Sequence, residues 1–206
     1  KVDLGGVDAI AGIVKEWRRV MGGGCRNVKV HDDFRGAAAG LKGRTLDLRR
    51  AFKQVPIQKA LLPLSVICIW HPTRKEAVYY ILKSLPFGAK NSFWVFGALA
   101  RALEMLSARC LWTVSTQYVD DYPMVVPDGL GGEGPDMEDL LGLLGWEVKT
   151  VEGKVPEYHR TFTPLGVEVL LPAAGGQELV VRDKPGRREK LGDFVKVMSS
   201  AANNWV

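Results

Sequence analysis

Three aspartates lie where aspartate is least at home. Asp47 stands between Leu46 and Leu48 in an apolar, strand-like run, and Asp120-Asp121 sits in a hairpin between the strand-like runs 114–118 and 123–126. Asp is disfavoured in strands and costly to bury unpaired, and a single one in such a place ordinarily serves as a turn former or ion-pair partner. An adjacent pair is harder to explain that way, since like charges so close repel unless a proton or cation intervenes. Hard divalent cations with oxygen ligands relieve the repulsion, and Mg²⁺ in particular is held by one or two carboxylates together with substrate phosphates. Two such ions about 4 Å apart clamp the attacking and leaving oxygens of an in-line phosphoryl displacement. Three carboxylates delivered by two strands suit that chemistry.

The elements that must deliver them follow from periodicity. Val7, Ile10, Ile13, Val14 and Trp17 predict a helix over 7–20, stopped by Gly22-Gly23-Gly24. Thr45 to Leu48 alternates as a strand and runs into a short turn or helix closed by Pro56. Residues 65–70 and 77–83 predict a hairpin, and Phe93, Phe96, Leu99, Ala100, Leu103 and Leu106 predict a long helix over 91–108. A second hairpin carries Val119-Asp120-Asp121-Tyr122 at its tip. A Gly-rich loop over 129–135, a helix over 137–144, strands over 165–171 and 178–182, and a helix over 187–200 complete the chain. Hairpins rather than strict βαβ alternation predict an α+β class, with an antiparallel sheet packed on helices.

Composition narrows the class. The chain has 206 residues, 47% of them apolar, enough to bury a core and too many for a disordered chain. Cys25, Cys68 and Cys110 are odd in number and match neither a disulfide framework nor a zinc pattern. The longest apolar run, 61–70, is interrupted by Pro63 and Ser65 and is half the roughly 20 residues that span a bilayer. An intracellular, reducing compartment is expected. With Lys1 first and no leader pattern, the chain reads as a piece of a longer one. Net charge is +5, unevenly spread: residues 1–60 carry 13 basic and 6 acidic side chains, and 128–152 carry 1 and 7. A second basic cluster joins Arg182, Lys184, Arg187, Arg188 and Lys190. Basic ends of this kind suit a phosphate backbone, although a solvated basic face gives the same count.

Taken in order, the segments resemble reverse transcriptases. Tyr118-Val119-Asp120-Asp121 resembles their Tyr-x-Asp-Asp box, and Thr45-Leu46-Asp47-Leu48-Arg49-Arg50-Ala51-Phe52 their first palm motif, 73 residues earlier at the aspartate. Leu85-Pro86-Phe87-Gly88-Ala89-Lys90-Asn91-Ser92 resembles the motif between them, in the Pro-Phe-Gly form of gypsy-type retrotransposons and pararetroviruses. The segment Lys29 to Arg35 is similar to a fingers segment. Gly145-Trp146 through Lys154, then Pro164-Leu165-Gly166, are similar to the fourth and fifth palm motifs.

The resemblance implies a right-hand polymerase: a fingers part in 1–44, the first palm motif in 45–64, a fingers hairpin in 65–84, palm in 85–182, and the start of a thumb or connection in 183–206. It implies that Asp47, Asp120 and Asp121 hold two Mg²⁺ ions, with Mn²⁺ as a substitute and the Leu48 carbonyl as a further ligand. Phe52 would lie under the sugar and exclude a 2′-hydroxyl, with Ala51 and Arg50 beside the triphosphate. Gly88 would admit the incoming base pair, and Lys29 and Lys154 would face the triphosphate, although a solvated lysine is the commoner fate. Implied partners are an RNA or DNA template with its primer, deoxynucleoside triphosphates, and further polyprotein domains such as a thumb, ribonuclease H, integrase or recombinase. Arg50 stands where many relatives carry an acid, and Phe87 where retroviral enzymes carry glutamine. Two other readings compete: an inactive or domesticated copy that binds nucleic acid, and an RNA-dependent RNA polymerase palm, which commonly carries Gly-Asp-Asp and a small or polar residue in place of Phe52.

Overall fold

The computed structural model describes residues 5–23, 40–111, 113–130, 136–150, 155–176 and 178–202. Its centre is an antiparallel ribbon of β1 (Leu41–Asp47) and β4 (Asp121–Pro127), in register from Leu41 opposite Pro127 to Asp47 opposite Asp121. Paired residues share a face and successive pairs alternate, so the ribbon has two buried sides. Leu46, Tyr122 and Met124 point to one, where they pack with Leu48, Phe52, Phe96, Ala100, Leu103, Met137 and Leu141. Leu41 and Val125 point to the other, with Ile10, Val14, Met21, Phe162, Val169 and Leu171.

The first side is covered by α2 (Lys90–Cys110) and α3 (Met137–Leu143). Phe96 lies at its heart, stacked on Phe52 at 4.5 Å between ring centroids and edge-on to Trp146 at 6.3 Å. The Tyr122 hydroxyl, fully buried, donates to the Ala100 carbonyl at 3.2 Å and fixes α2 on β4. Helix α3 starts at a capping box: Asp136 accepts from the Glu138 N–H, and Asp139 accepts from the Asp136 N–H. Arg44 of β1, almost fully buried, is paired with Asp136 and lies 4.6 Å from the centre of the Tyr158 ring. That ion pair ties the ribbon to the helix start.

The second side is covered by α1 (Val7–Met21) and the small sheet β5 (Thr161–Phe162), β6 (Val167–Leu170) and β7 (Val180–Asp183). Trp17 Nε1 donates to the Val125 carbonyl at 2.8 Å. Phe162 can lie against β1 because residue 43 is glycine: a Cβ there would stand 2.7 Å from the Phe162 ring and 2.9 Å from the Met124 carbonyl oxygen. The hairpin β2 (Val66–His71) and β3 (Glu76–Ile81) stands apart as its own two-stranded sheet. Helix α4 (Arg187–Ala202) closes the chain.

Most of the predicted elements are present among the described residues, with instructive shifts; residues 131–135 of the predicted Gly-rich loop lie outside them. The strand expected over 165–171 begins at Val167, because Leu165 and Gly166 both turn left-handed (φ 53° and 75°). The arm expected over 114–118 is reduced to isolated bridges, Ser115 to Met124 and Tyr118 to Asp121. Pro123 accepts from the Thr116 N–H at 3.0 Å but has no N–H to return. The strand predicted over 45–48 starts four residues earlier, at Leu41. Helix α4 carries Leu191 and Phe194 exposed. The 3₁₀ turn Lys59–Leu64 and the two-residue β5 were not predicted. The molecule is thus mixed α and β with small antiparallel sheets, compatible with the α+β expectation. Among the described residues, no helix is long and apolar enough to cross a membrane.

Because the Phe96 ring joins Phe52 to Trp146 at full burial, Phe96→Ala should cost about 3–5 kcal/mol in urea unfolding. Trp94→Ala, two residues earlier on the half-exposed face of the same helix, should cost about 0.5 kcal/mol or less.

Candidate active site

The ribbon ends on its charged pair. Asp47 is the last residue of β1 and Asp121 the first of β4, directly opposed, which sets Cα atoms about 4.5–5.5 Å apart in an antiparallel pair. Asp120 joins them through a tight turn. Tyr118 and Asp121 exchange backbone hydrogen bonds of 2.9 and 3.0 Å around Val119-Asp120, and the Leu48 N–H donates to the Asp120 carbonyl at 3.1 Å. Val119 takes φ 57°, a value that a β-branched residue adopts only under constraint and at a cost of about 1–3 kcal/mol. The constraint is visible: Gln117, nearly fully buried, donates from Nε2 to the Val119 carbonyl at 3.0 Å, and the valine side chain packs on the Phe96 core. This turn brings the third carboxylate to the other two.

On the far side of β1, residues 147–149 run as a short strand-like edge. Leu48 bridges to Val148, the Lys149 N–H donates to the Asp47 carbonyl at 2.7 Å, and the Arg49 N–H to the Glu147 carbonyl at 2.9 Å. Gln54 reinforces the edge. Its Nε2 donates to the carbonyls of Glu147 (2.9 Å) and Arg49 (2.7 Å), and its Oε1 accepts from the Glu147 N–H at 2.7 Å. The result is an ammonium at the acid cluster: Lys149 Nζ lies 2.8 Å from Asp47 Oδ2.

The electrostatics follow from this crowding. Burial, and then the charges of Asp120 and Asp47, push the Asp121 carboxyl up to about 6, against the pull of Lys149. Burial likewise raises Asp120, with Asp47 adding to it. The hydrogen bond to Asp47 raises Lys149, which stays charged throughout the neutral range. By donor chemistry the three carboxylates and the adjoining main-chain carbonyls fit a hard divalent cation. Their present placement is different: among the described residues no three His, Cys, Asp or Glu side chains are set to hold a metal ion, and Asp47 is engaged by the lysine.

The other expected residues fall into three groups. Leu48, Ala51 and Phe52 follow Asp47 in the chain and are buried, and Phe52 is a core ring that stacks on Phe96 and meets exposed Phe87 edge-on at 5.6 Å. Arg50 is exposed and left-handed (φ 55°), turning the chain from β1 into the 3₁₀ turn Ala51–Gln54. Gly88 also has positive φ (88°), with open space around its missing Cβ, so its backbone conformation by itself calls for glycine. Lys29 and Lys154 lie outside the described residues. Lys149, Gln54 and Gln117 were not anticipated. The alternation Trp146-Glu147-Val148-Lys149 is the signal that places a lysine on an edge strand.

Asp121 should make the folded protein less stable at neutral pH. Its folded pKa lies above the ordinary 3.8, so the folded state binds the proton more tightly, and stability falls as pH rises from about 4 to about 6. Asp121→Asn should therefore stabilise the metal-free chain at pH 7.5 by about 1–2 kcal/mol, and the difference should vanish below about pH 4. Urea unfolding in chelator at the two pH values checks this.

No protein-family model matches the chain and no curated protein matches it, so the site is read from its own geometry and motifs.

Proposed function

We propose that the chain is the fingers and palm part of a reverse transcriptase, catalysing template-directed nucleotidyl transfer by RNA-directed DNA synthesis. The observation that carries the reading is the meeting of Asp47, Asp120 and Asp121 at one end of a buried antiparallel ribbon, with the Tyr118–Asp121 turn held in a strained form. Structural duty alone gives three mutually repelling carboxylates little reason to be kept together. The motif order 45–52, 85–92, 118–121, 145–154 and 164–166 supports the same reading.

Asp47, Asp120 and Asp121, with the Leu48 carbonyl, would hold divalent cations. Bound there, Mg²⁺ lowers the pKa of a primer hydroxyl and neutralises a triphosphate. The chain's own contribution is positioning. The two faces of the ribbon fix the backbone of both strands, so only side chains need to move for the carboxylates to converge on a cation. Phe52, five residues after Asp47 and locked on Phe96, would on this reading present a rigid apolar ring to the sugar, with no hydrogen bond for a ribose hydroxyl. The basic clusters of 1–60 and 182–190 suit template and primer phosphates.

Primer extension on an RNA template in Mg²⁺ tests the reading. Wild type should add deoxynucleotides, and Asp120→Asn should lose at least about 100-fold in rate, several kcal/mol of charge stabilisation, with template affinity unchanged. No extension by wild type, or a near wild-type rate for the variant, overturns it. The same assay separates this reading from an RNA polymerase palm. If Phe52 screens the sugar, Phe52→Val should raise ribonucleotide use relative to deoxynucleotide use by about tenfold to a hundredfold, since overlap with a fixed ring costs about 1–3 kcal/mol. An unchanged ratio makes Phe52 a core residue only.

A further inference from the structure

We infer that Lys149 is a built-in counter-cation, which holds the place of a divalent ion on Asp47 and must leave before that ion can bind. The inference rests on the metal-centre reading of the three aspartates and concerns how that centre is kept when empty. Three observations carry it. Lys149 Nζ is 2.8 Å from Asp47 Oδ2, and the charges of Asp120 and Asp121 act on the same ammonium. The backbone beneath it is fixed: Lys149 N–H to Asp47 carbonyl at 2.7 Å, and the Gln54 amide on both polar groups of Glu147. The side chain above that fixed backbone is 63% exposed, so it can swing into water without disturbing the core.

The physical logic is competition for one carboxylate. Without a counter-charge, the opposed Asp47 and Asp121 and the adjoining Asp120 repel one another at the half-buried end of the ribbon. An ammonium is a compact point charge with flexible reach, and it relieves that repulsion in the absence of metal. It is also weaker than a divalent ion, so it can be displaced. Gln54 is on this account a positioning residue, since it sets where residue 149 begins. The other nearby cation with an assigned partner, Arg49, pairs with Glu147 rather than with the acid cluster.

The test is binding of Mn²⁺ alone to the full chain, followed by calorimetry and by the paramagnetic signal of free Mn²⁺, with no nucleotide or template. Lys149→Met should bind Mn²⁺ about fivefold more tightly than wild type, the ratio that corresponds to ~1 kcal/mol of ion pair no longer to be broken. Lys149→Arg should bind no more tightly than wild type. Lys53→Met, which removes the same charge from the exposed 3₁₀ turn, should leave affinity unchanged. In chelator Lys149→Met should melt lower than wild type, and saturating Mn²⁺ should raise its melting temperature by more than it raises that of wild type. Equal Mn²⁺ affinity for wild type and Lys149→Met overturns the counter-cation alone. Failure of both to bind Mn²⁺ overturns the metal centre and the counter-cation with it. An equal gain in Lys53→Met reduces the effect to net charge and likewise overturns it.

Discussion

The register that sets Asp47 opposite Asp121 is the constraint on which the site depends. Side chains alternate along a strand with period two, so a slip of one residue would separate the carboxylates and turn every apolar residue of the ribbon to the wrong side. Here both sides are buried. Leu46 with Tyr122 and Gly43 with Val125 face different cores, and neither can shift without exposing both. Hydrophobic burial far larger than the local repulsion therefore holds the acids together. The site is unfavourable in itself and is kept by its surroundings.

Two further costs are met locally. The left-handed Val119 is held by the Gln117 amide and by the reciprocal backbone bonds of Tyr118 and Asp121, so the strain sits in a turn with no freedom to relax. The crowded charge is met by Lys149, which arrives from the opposite edge of β1. Strain and repulsion thus converge on one end of one ribbon.

Much of this was legible in the residues. The helices over 7–21 and 90–110 are long and strongly periodic, and the aspartates declared themselves by standing in a strand-like run and at a hairpin tip. What was not legible depends on contacts distant in sequence. Nothing local to Gln54 announces that its amide will pair with Glu147, 93 positions away, and Lys149 becomes notable only once Leu48 is seen to bridge to Val148. Strand edges failed for a different reason. The 114–118 arm lies opposite a strand, but Pro123 in that partner removes a donor from the ladder. Leu165-Gly166 spends two residues of an apparent strand on a turn. Phe52 shows the limit of a motif: five residues after Asp47, the ring is a fully employed core residue, stacked on Phe96.

The position of the acids at the end of the ribbon, rather than in its middle, has its own physical reason. In the middle, between Leu46 and Val125, a carboxylate would be desolvated on all sides and would neutralise itself by taking up a proton. On an open surface, solvent would screen the acids, and no site would arise. At the strand ends the three carboxylates are only partly buried, enough for burial and their mutual charge to lift Asp121 to about 6 while water still reaches them. The edge at 147–149 completes that balance. Its backbone is held by hydrogen bonds to Asp47 and Gln54, while its lysine, largely exposed, places its ammonium on Asp47 and so steadies the acids from the solvent side.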